Sequence, residues 1–344
     1  MCELFGLCSN KEVGISFSWR GFVRRGGENP SGWGVGWYVK NEKGKIFAAL
    51  VKEPRPSVSS PVAQLLGREI RSHIVISHVR RATEGEERYV NTHPFVRLVN
   101  DNEWIFAHNG TVNIKWVNLK RYHPIGETDS EYAFCHILDN IHDDNLTLDG
   151  LFRRMYEVVE DISDFGKFNF LMSDGKYLFA HTTNGNLHYL IRHPPHRGIV
   201  RLKDEDFEVS LEEMKKMNEY VVLLATRPLT RNEDWVKLKR RKIYVFRDGD
   251  PILLIKSDDY VPMIDEKELE VLRVVRTSPH SLELSKIADY IGEDVEGAYK
   301  IVERLVHKNY LKQHSHDNVD PNHPQARYFT RKDKRDLIDI LLNL

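Results

Sequence analysis

Short apolar runs broken by turn residues dominate most of the chain. Residues 35–39 and 46–51 flank Asn41-Glu42-Lys43-Gly44, 168–172 and 177–181 flank Asp174-Gly175, and 243–247 and 251–255 flank Asp248-Gly249. Apolar stretches joined by such short polar and glycine segments read as hairpins, so the pattern predicts a largely antiparallel sheet. Two helices interrupt it. Thr128-Asp129-Ser130-Glu131 has the form of a capping box, and Ala133, Phe134, Ile137, Leu138 and Ile141 follow at helical spacing, which starts a helix at Thr128. A second helix covers 148–162, with Leu151, Phe152, Met155, Val158 and Val159 on one face. Strands with helices folded back on them predict a layered α/β (α+β) domain over residues 1–262.

Beyond Pro262 the pattern changes. Helices are expected over 265–276, with Leu269, Leu272 and Val275 inward, over 284–291 with a stop at Gly292, and over 294–310. Two strands, 311–315 and 327–330, then enclose a polar loop, and a last helix starts at Asp333. Three helices followed by a two-stranded wing are similar to a winged-helix domain, occupying 263–344. Leu269, Leu272, Val275, Ile287, Val302 and Leu305 suffice for a small core of its own.

Composition narrows the partners. The 344 residues carry 50 basic and 51 acidic side chains, a formal net charge of −1, so no global field draws the chain to nucleic acid or an anionic membrane. The three cysteines, Cys2, Cys8 and Cys135, have no paired-ligand spacing; they suit a reducing compartment, with Cys8 and Cys135 expected in the core. No apolar run approaches the length of a membrane span, and none of the 16 histidines falls in a metal-binding motif, so the expectation is a cytoplasmic protein with no metal and no cofactor.

The candidate chemistry begins at Met1-Cys2. Removal of Met1 makes Cys2 the amino terminus, and one residue then carries a thiol and an α-amine that titrates near about 7.7–8.0, low enough to accept the thiol proton. A cysteine at this position is otherwise an incidental small residue. Arg80 follows the strand-like 74–77 and offers a guanidinium to a carboxylate; its plainer role is a surface salt bridge. The strand 104–107 ends in His108-Asn109-Gly110, where an amide side chain and a glycine N–H are donors for an oxyanion, and where a simple Asn-Gly turn is the alternative. Asp129, in the first turn of the capped helix, offers a carboxylate to an ammonium group or complements the helix dipole. Arg25-Gly26-Gly27 through Gly32-Trp33-Gly34 reads as a flexible flap or a series of tight turns, not as a phosphate-binding loop.

These stretches occur together and in order: Met1-Cys2-Glu3-Leu4-Phe5-Gly6, Arg25-Gly26-Gly27, Gly32-Trp33-Gly34, His78-Val79-Arg80-Arg81-Ala82-Thr83, His108-Asn109-Gly110 and Glu127-Thr128-Asp129-Ser130-Glu131. The set resembles the class II glutamine amidotransferases. The resemblance covers roughly residues 2–262 and implies the N-terminal nucleophile hydrolase fold, a four-layer αββα sandwich. It further implies Cys2 as nucleophile, Asn109 and Gly110 as oxyanion donors, Arg80 on the substrate α-carboxylate, Asp129 on the α-amino group and Thr83 among the substrate contacts. Arg81 and Glu84 stand where the glucosamine-phosphate synthase branch has tryptophan and histidine, giving a more charged rim. The chain looks more like the small stand-alone branch.

The expected function is therefore an amidohydrolase that cleaves the γ-amide of glutamine or another γ-glutamyl compound, without a cofactor, releasing ammonia or an amine. An ammonia-accepting protein or a second copy of the chain is the expected macromolecular partner. The competing class is a metabolite-sensing regulator that binds DNA through the winged helix. Lys300, Arg304, His307 and Lys308 favour that class. Glu293, Asp294, Glu296 and Glu303 beside them weaken it, and the basic Lys312, Arg327, Arg331, Lys332, Lys334 and Arg335 keep it as an alternative.

Overall fold

The computed structural model of the chain describes residues 2–82, 85–216, 218–257, 259–314 and 319–343. It divides into two compact units, Met1–Asp259 and Tyr260–Leu344. The strands of the first unit are β1 (Glu3–Gly14), β2 (Gly32–Lys40), β3 (Ile46–Glu53), β4 (Arg71–Arg80), β5 (Phe95–Val99), β6 (Asn102–Val112), β7 (Gly166–Ser173), β8 (Leu178–Thr182), β9 (His188–Arg192), β10 (Ile199–Arg201), β11 (Glu208–Ser210), β12 (Val221–Ala225), β13 (Val236–Lys237), β14 (Ile243–Arg247) and β15 (Asp250–Lys256). Its helices are α1 (Ser16–Arg24), α2 (Pro61–Glu69), α3 (Asp129–Ile141), α4 (Leu148–Ser163) and the single turn α5 (Leu211–Met214). The strand Asp259–Pro262 (β16) carries the chain across the division.

Two antiparallel sheets stack face to face. One has the order β13-β9-β12-β1-β4-β2-β3, and within the unit the other runs β15-β14-β8-β7-β6-β5. Helices α1 and α2 cover the outer face of the first, α3 and α4 that of the second, which makes the four-layer αββα sandwich. The three expected hairpins form. At Asp248-Gly249 both residues have positive φ (52° and 86°), the requirement of a tight two-residue turn; at Asp174-Gly175 the Asp174 carboxylate accepts from Lys176 N and Tyr177 N at 2.9 and 2.8 Å.

Strand alternation decides what each residue faces. On β1, Phe5 and Leu7 pack with Trp19, Phe22 and Trp33 under α1 and α2, so Leu4, Gly6 and Cys8 face the second sheet. A Cβ on Gly6 would lie 2.8 Å from Leu171 Cδ1, so the close approach of β1 to β7 requires glycine there. On β4, Val75 and Val79 join the outer cluster, which turns His78 and Arg80 inward. On β6, Phe106 stacks on Phe134 of α3 with ring centroids 4.9 Å apart, which turns Ala107 and Asn109 inward. Cys8 and Cys135 are buried, as expected.

The sequence pattern predicts two helices before Pro262, and the structure adds α1, α2 and the single turn α5. Helix α1 has no side-chain cap, and only Ser16, Arg20 and Arg24 face solvent, a stripe narrower than the buried face that carries Trp19 and Phe22, so its polar signal is short. Helix α2 carries a clear start, Ser60 Oγ accepting from Ala63 N at 3.0 Å with Pro61 at the first position; its interior Gly67 obscures it. A Cβ on Gly67 would come within 2.2 Å of the Trp19 ring, so glycine is there to let α1 reach α2.

The second unit contains α6 (Glu266–Thr277), β17 (Leu282–Glu283), α7 (Leu284–Ile291), α8 (Val295–His307), β18 (Leu311–Gln313), β19 (Arg327–Thr330) and α9 (Arg335–Leu342), with sheet order β17-β19-β18. Gly292 ends α7 at φ 66°. Helix α6 buries Val271, Leu272 and Val275, with Leu269 only half-buried; the remaining inward position is Glu268, which the apolar pattern did not select. Glu268 is buried against Arg304 Nε (3.0 Å) and Lys308 Nζ (2.8 Å), an ion cluster that ties α6 to the end of α8. Among the described residues, no helix of the chain is long and apolar enough to cross a membrane.

Buried histidines make stability depend on pH. Burial holds the His78 and His181 imidazoles down at about 3. The unfolded chain takes up these protons near about 6.5, so it binds more protons than the folded chain between about 6.5 and about 3, and stability falls as pH drops through that window. At pH 5 the loss is about 2 kcal/mol per imidazole. The urea midpoint at pH 5 is therefore expected below that at pH 7, and equal midpoints would contradict the burial of neutral imidazoles.

Candidate active site

The inward positions of β1, β4 and β6 converge at one end of the space between the sheets. Cys2 immediately precedes β1, and the pairing of Glu3 with Val79 brings it to the end of β4, where Arg80 lies. The Cys2 thiol is held by one main chain: Arg81 N–H points at Sγ at 3.2 Å, and Sγ lies 3.3 Å from Arg81 O. Burial pushes the Cys2 thiol up, opposed by the Arg81 N–H and the Arg80 guanidinium. Arg81, expected at the rim, thus reaches the thiol through its backbone.

Asn109-Gly110 lies inside β6, paired with Asn169 and Phe168 of β7, and not in a turn. Asn109 Nδ2 donates to Cys2 O at 2.7 Å and lies 3.4 Å from Thr226 Oγ1. Two buried residues brace the Asn109 main chain. Asn169 Nδ2 donates to Asn109 O (2.7 Å) while Thr182 Oγ1 donates to Asn169 Oδ1 (2.6 Å). Thr226 Oγ1 receives Leu4 N (2.8 Å), fixing β12 to the start of β1.

Gly110 has a steric reason to be glycine, since a Cβ would fall 1.8 Å from Lys167 O. Its N–H has a defined direction as well. The pairing of β5 with β6 stops at Phe106, which leaves the outer edge of 107–112 open. Val112 N–H donates to Asp129 Oδ2 (2.8 Å) from that edge, and by the two-residue alternation of an unbroken strand Gly110 N–H points the same way.

Asp129 opens α3 behind the Thr128 cap, whose Oγ1 accepts from Glu131 N at 3.2 Å. The Glu131 carboxylate reaches Gly126 N (2.7 Å) and Arg97 in place of the cap nitrogen expected of a full capping box. Asp129 is 5% exposed, so it is part of the interior and not a surface complement to the helix dipole. Next to it, His108 Nε2–H donates to Lys167 O (3.0 Å), and Ser130 Oγ–H donates to His108 Nδ1 (2.8 Å). A carbonyl only accepts, so this tautomer is fixed, and burial lowers the His108 pKa against the pull of Asp129.

Arg80 is 3% exposed, which rules out a surface salt bridge. Its Nη1 donates to Glu86 O (3.3 Å) and its Nη2 to Gly85 O (3.1 Å). Burial lowers its pKa, opposed by the fields of Cys2, Glu87 and Asp129. The structure therefore gathers Cys2, Arg80, Asn109, Gly110 and Asp129; Met1, Thr83 and Glu84 lie outside the described residues.

The glycine-rich stretch after α1 is a built turn. Arg25 is buried and donates to Glu3 Oε2 (2.9 Å), Arg227 O (2.8 Å), Pro228 O (2.8 Å) and Asp204 Oδ2 (2.9 Å), while Arg227 Nε closes on Glu3 Oε1 (2.6 Å). Glu3 is thereby fixed between two guanidiniums, directly beside Cys2. Sequence reasoning missed Thr226, Asn169 and the partner of Glu3. A threonine directly after the apolar run 221–225 was the available signal for the first; the others depend on strand pairing distant in sequence. Among the described residues, no group of three or more His, Cys, Asp or Glu side chains is placed to hold a metal.

Comparison with known proteins agrees with this arrangement. Residues 1–270 match the family model of the class II glutamine amidotransferases. An uncharacterized protein of Methanocaldococcus jannaschii is 38% identical over an alignment of 353 residues, covering 98% of this chain and 96% of its own. The Escherichia coli protein YafJ, named as a glutamine amidotransferase, is 36% identical over 262 residues, 74% of this chain and 100% of YafJ. A crystal structure from Pseudomonas aeruginosa, described as a glutamine amidotransferase, superposes with a TM-score of 0.58 at 30% identity, covering 74% of this chain and 100% of its own. The chain belongs to the class II glutamine amidotransferases, enzymes that cleave the side-chain amide of glutamine.

Proposed function

We propose that the first unit is a glutaminase-type amidohydrolase working through an amino-terminal cysteine. With Met1 removed, the Cys2 α-amine accepts the thiol proton and Sγ attacks the carbonyl carbon of the γ-amide. Asn109 Nδ2–H and Gly110 N–H receive the oxyanion. The tetrahedral species collapses by breaking the C–N bond, the departing nitrogen taking the proton held on the α-amine, and a γ-glutamyl thioester remains. Water attacks the thioester, gives its proton to the same amine, and the thiolate leaves to release glutamate. Arg80 pairs with the substrate α-carboxylate and Asp129 with its α-ammonium; Thr83 is assigned a substrate contact with them. The supporting observation is the convergence of Cys2, Arg80 and Asn109 from three strands, with Asn109 Nδ2 only 2.7 Å from Cys2 O. Ammonia release from glutamine by protein with a verified Cys2 amino terminus tests the reading directly.

Asn109→Ala is expected to lower kcat by about 10²–10³-fold while moving KM little, because an oxyanion donor acts mainly on the transition state. A change confined to KM would remove Asn109 from the oxyanion site.

The second unit is proposed as a winged-helix-like domain over 263–344 serving a protein contact, with the amidotransferase domain over 1–262. Several of its basic residues are engaged within it. Arg304 and Lys308 pair with Glu268, Arg327 with Glu283 (3.0 Å) and Arg331 with Asp333 (3.1 Å). Lys334 is buried, its amine 4.9 Å from the Tyr310 ring centroid, so it is not part of a basic wing. These pairs offset part of the basic charge, Lys312, Lys332 and Arg335 remain exposed, and nothing in the comparisons supports a DNA-binding regulator. A chain ending at Pro262 is expected to keep glutamine hydrolysis and to lose assembly in light scattering. Loss of hydrolysis in a folded truncation would show that the second unit shapes the site.

A further inference from the structure

Arg80 and Asp129 stand on separate elements, one at the end of β4 and the other at the start of α3, so their spacing is not set by either element alone. One buried side chain joins the two backbones that hold them. Asn91, fully buried in the turn Tyr89–Asn91, donates Nδ2–H to Glu86 O at 3.1 Å. Glu86 O is also the carbonyl that receives Arg80 Nη1. From the other side, Asn91 Oδ1 accepts Glu127 N at 2.9 Å, and Nδ2 lies 3.3 Å from Glu127 Oε2; Glu127 immediately precedes the Thr128 cap and Asp129.

Both backbones press against this amide. A Cβ on Gly126 would lie 2.4 Å from Asn91 Oδ1, and one on Gly85 would lie 3.0 Å from Asn91 Nδ2. The turn that carries Asn91 is anchored in its own right. Lys52 Nζ donates to Thr92 O (2.7 Å) beneath the rings of Tyr89 and Phe95, and Thr92 Oγ1 donates to Arg88 O (2.9 Å). Giving one hydrogen bond to a carbonyl and taking another from an N–H needs a donor and an acceptor on a single short planar group. A carboxamide supplies both; a carboxylate or an aliphatic side chain does not.

We propose that Asn91 is a positioning residue whose carboxamide sets the spacing between the Arg80 guanidinium and the Asp129 carboxylate, and thereby the site's preference for a substrate bearing both an α-carboxylate and an α-ammonium. The inference rests on the reading of Arg80 and Asp129 as the contacts for those two groups. The energetic logic is that two fixed charges reward a ligand only when their separation matches it, and small misplacements forfeit much of the gain.

The test compares competitive inhibition of glutamine hydrolysis by L-glutamate, by glutarate, which lacks the α-amine, and by 4-aminobutyrate, which lacks the α-carboxylate. In the native protein L-glutamate is expected to bind better than either truncated ligand. Asn91→Ala is expected to shrink both preferences by about 10-fold and to raise KM more than it lowers kcat. Asn91→Asp keeps the acceptor for Glu127 N and loses the donor to Glu86 O; it carries the test should the alanine variant not fold, and is expected to shrink the same preferences. The rate of Cys2 alkylation by iodoacetamide is expected to stay within about twofold of native, since the thiol is held by Arg81 and not by Asn91. A purely structural role would lower turnover, move the alkylation rate away from native and leave the preferences intact; that result overturns the proposal. Arg80→Lys and Asp129→Asn run beside it. Collapsed preferences there with unchanged preferences in both Asn91 variants reject the inference alone, whereas unchanged preferences throughout reject the two substrate contacts with it.

Discussion

Cys2→Ala is expected to abolish ammonia release from glutamine, lowering kcat/KM by about 10⁴-fold or more, as removal of a nucleophile does when the rest of the site cannot replace it. Neither remaining cysteine can substitute, because Cys8 and Cys135 are buried in the core, and burial pushes the Cys135 thiol up to about 12. The variant should fold normally. Among the described residues the thiol's hydrogen bonds go to the main chain of Arg81, and Asn109 Nδ2 bonds to the Cys2 carbonyl, which alanine retains. A melting temperature near native with no turnover therefore assigns the loss to chemistry. Substantial turnover by Cys2→Ala would remove the thioester from the account.

The second large effect concerns the ends of the substrate. Arg80→Ala and Asp129→Ala are each expected to reduce kcat/KM for glutamine by about 10²–10⁴-fold, since truncating one partner leaves a substrate charge unpaired in a buried site at about 3–5 kcal/mol. Both residues also hold backbone: Arg80 binds the carbonyls of Gly85 and Glu86, and Asp129 binds Val112 N. Asp129→Asn separates the two roles. An asparagine oxygen still accepts from Val112 N while the negative charge is gone, so a loss in Asp129→Asn close to that in Asp129→Ala identifies charge as the operative feature. Native kcat/KM in either alanine variant would refute the assignment.

Much of this was legible in the sequence because local chemistry and tertiary structure agree. The Asn/Asp/Gly turns marked the hairpins, Thr128 marked the start of α3, and the ordered motifs around Cys2, Arg80, Asn109 and Asp129 marked the site. What escaped depends on contacts distant in sequence. Helix α1 shows only the short polar stripe Ser16, Arg20 and Arg24, Gly67 is explained only by the Trp19 ring lying against it, and Glu268 looks like a surface residue until Arg304 and Lys308 close on it from α8. Asn91 shows the same limit at the site. As a letter it is one polar residue before a His-Pro pair, and its two-sided hydrogen bonding exists only once β4 and α3 are brought together.

The central claim is that Cys2, as a free amino terminus, is the nucleophile toward a γ-glutamyl carbonyl, and reaction with a glutamine analogue bearing a γ-diazoketone tests it most directly. Intact mass and peptide mapping of the inactivated enzyme should show a single adduct on Cys2, with Cys2 the first residue of the labelled chain and inactivation proportional to labelling. Labelling at Cys8 or Cys135, or full turnover by chains that retain Met1, would contradict the claim.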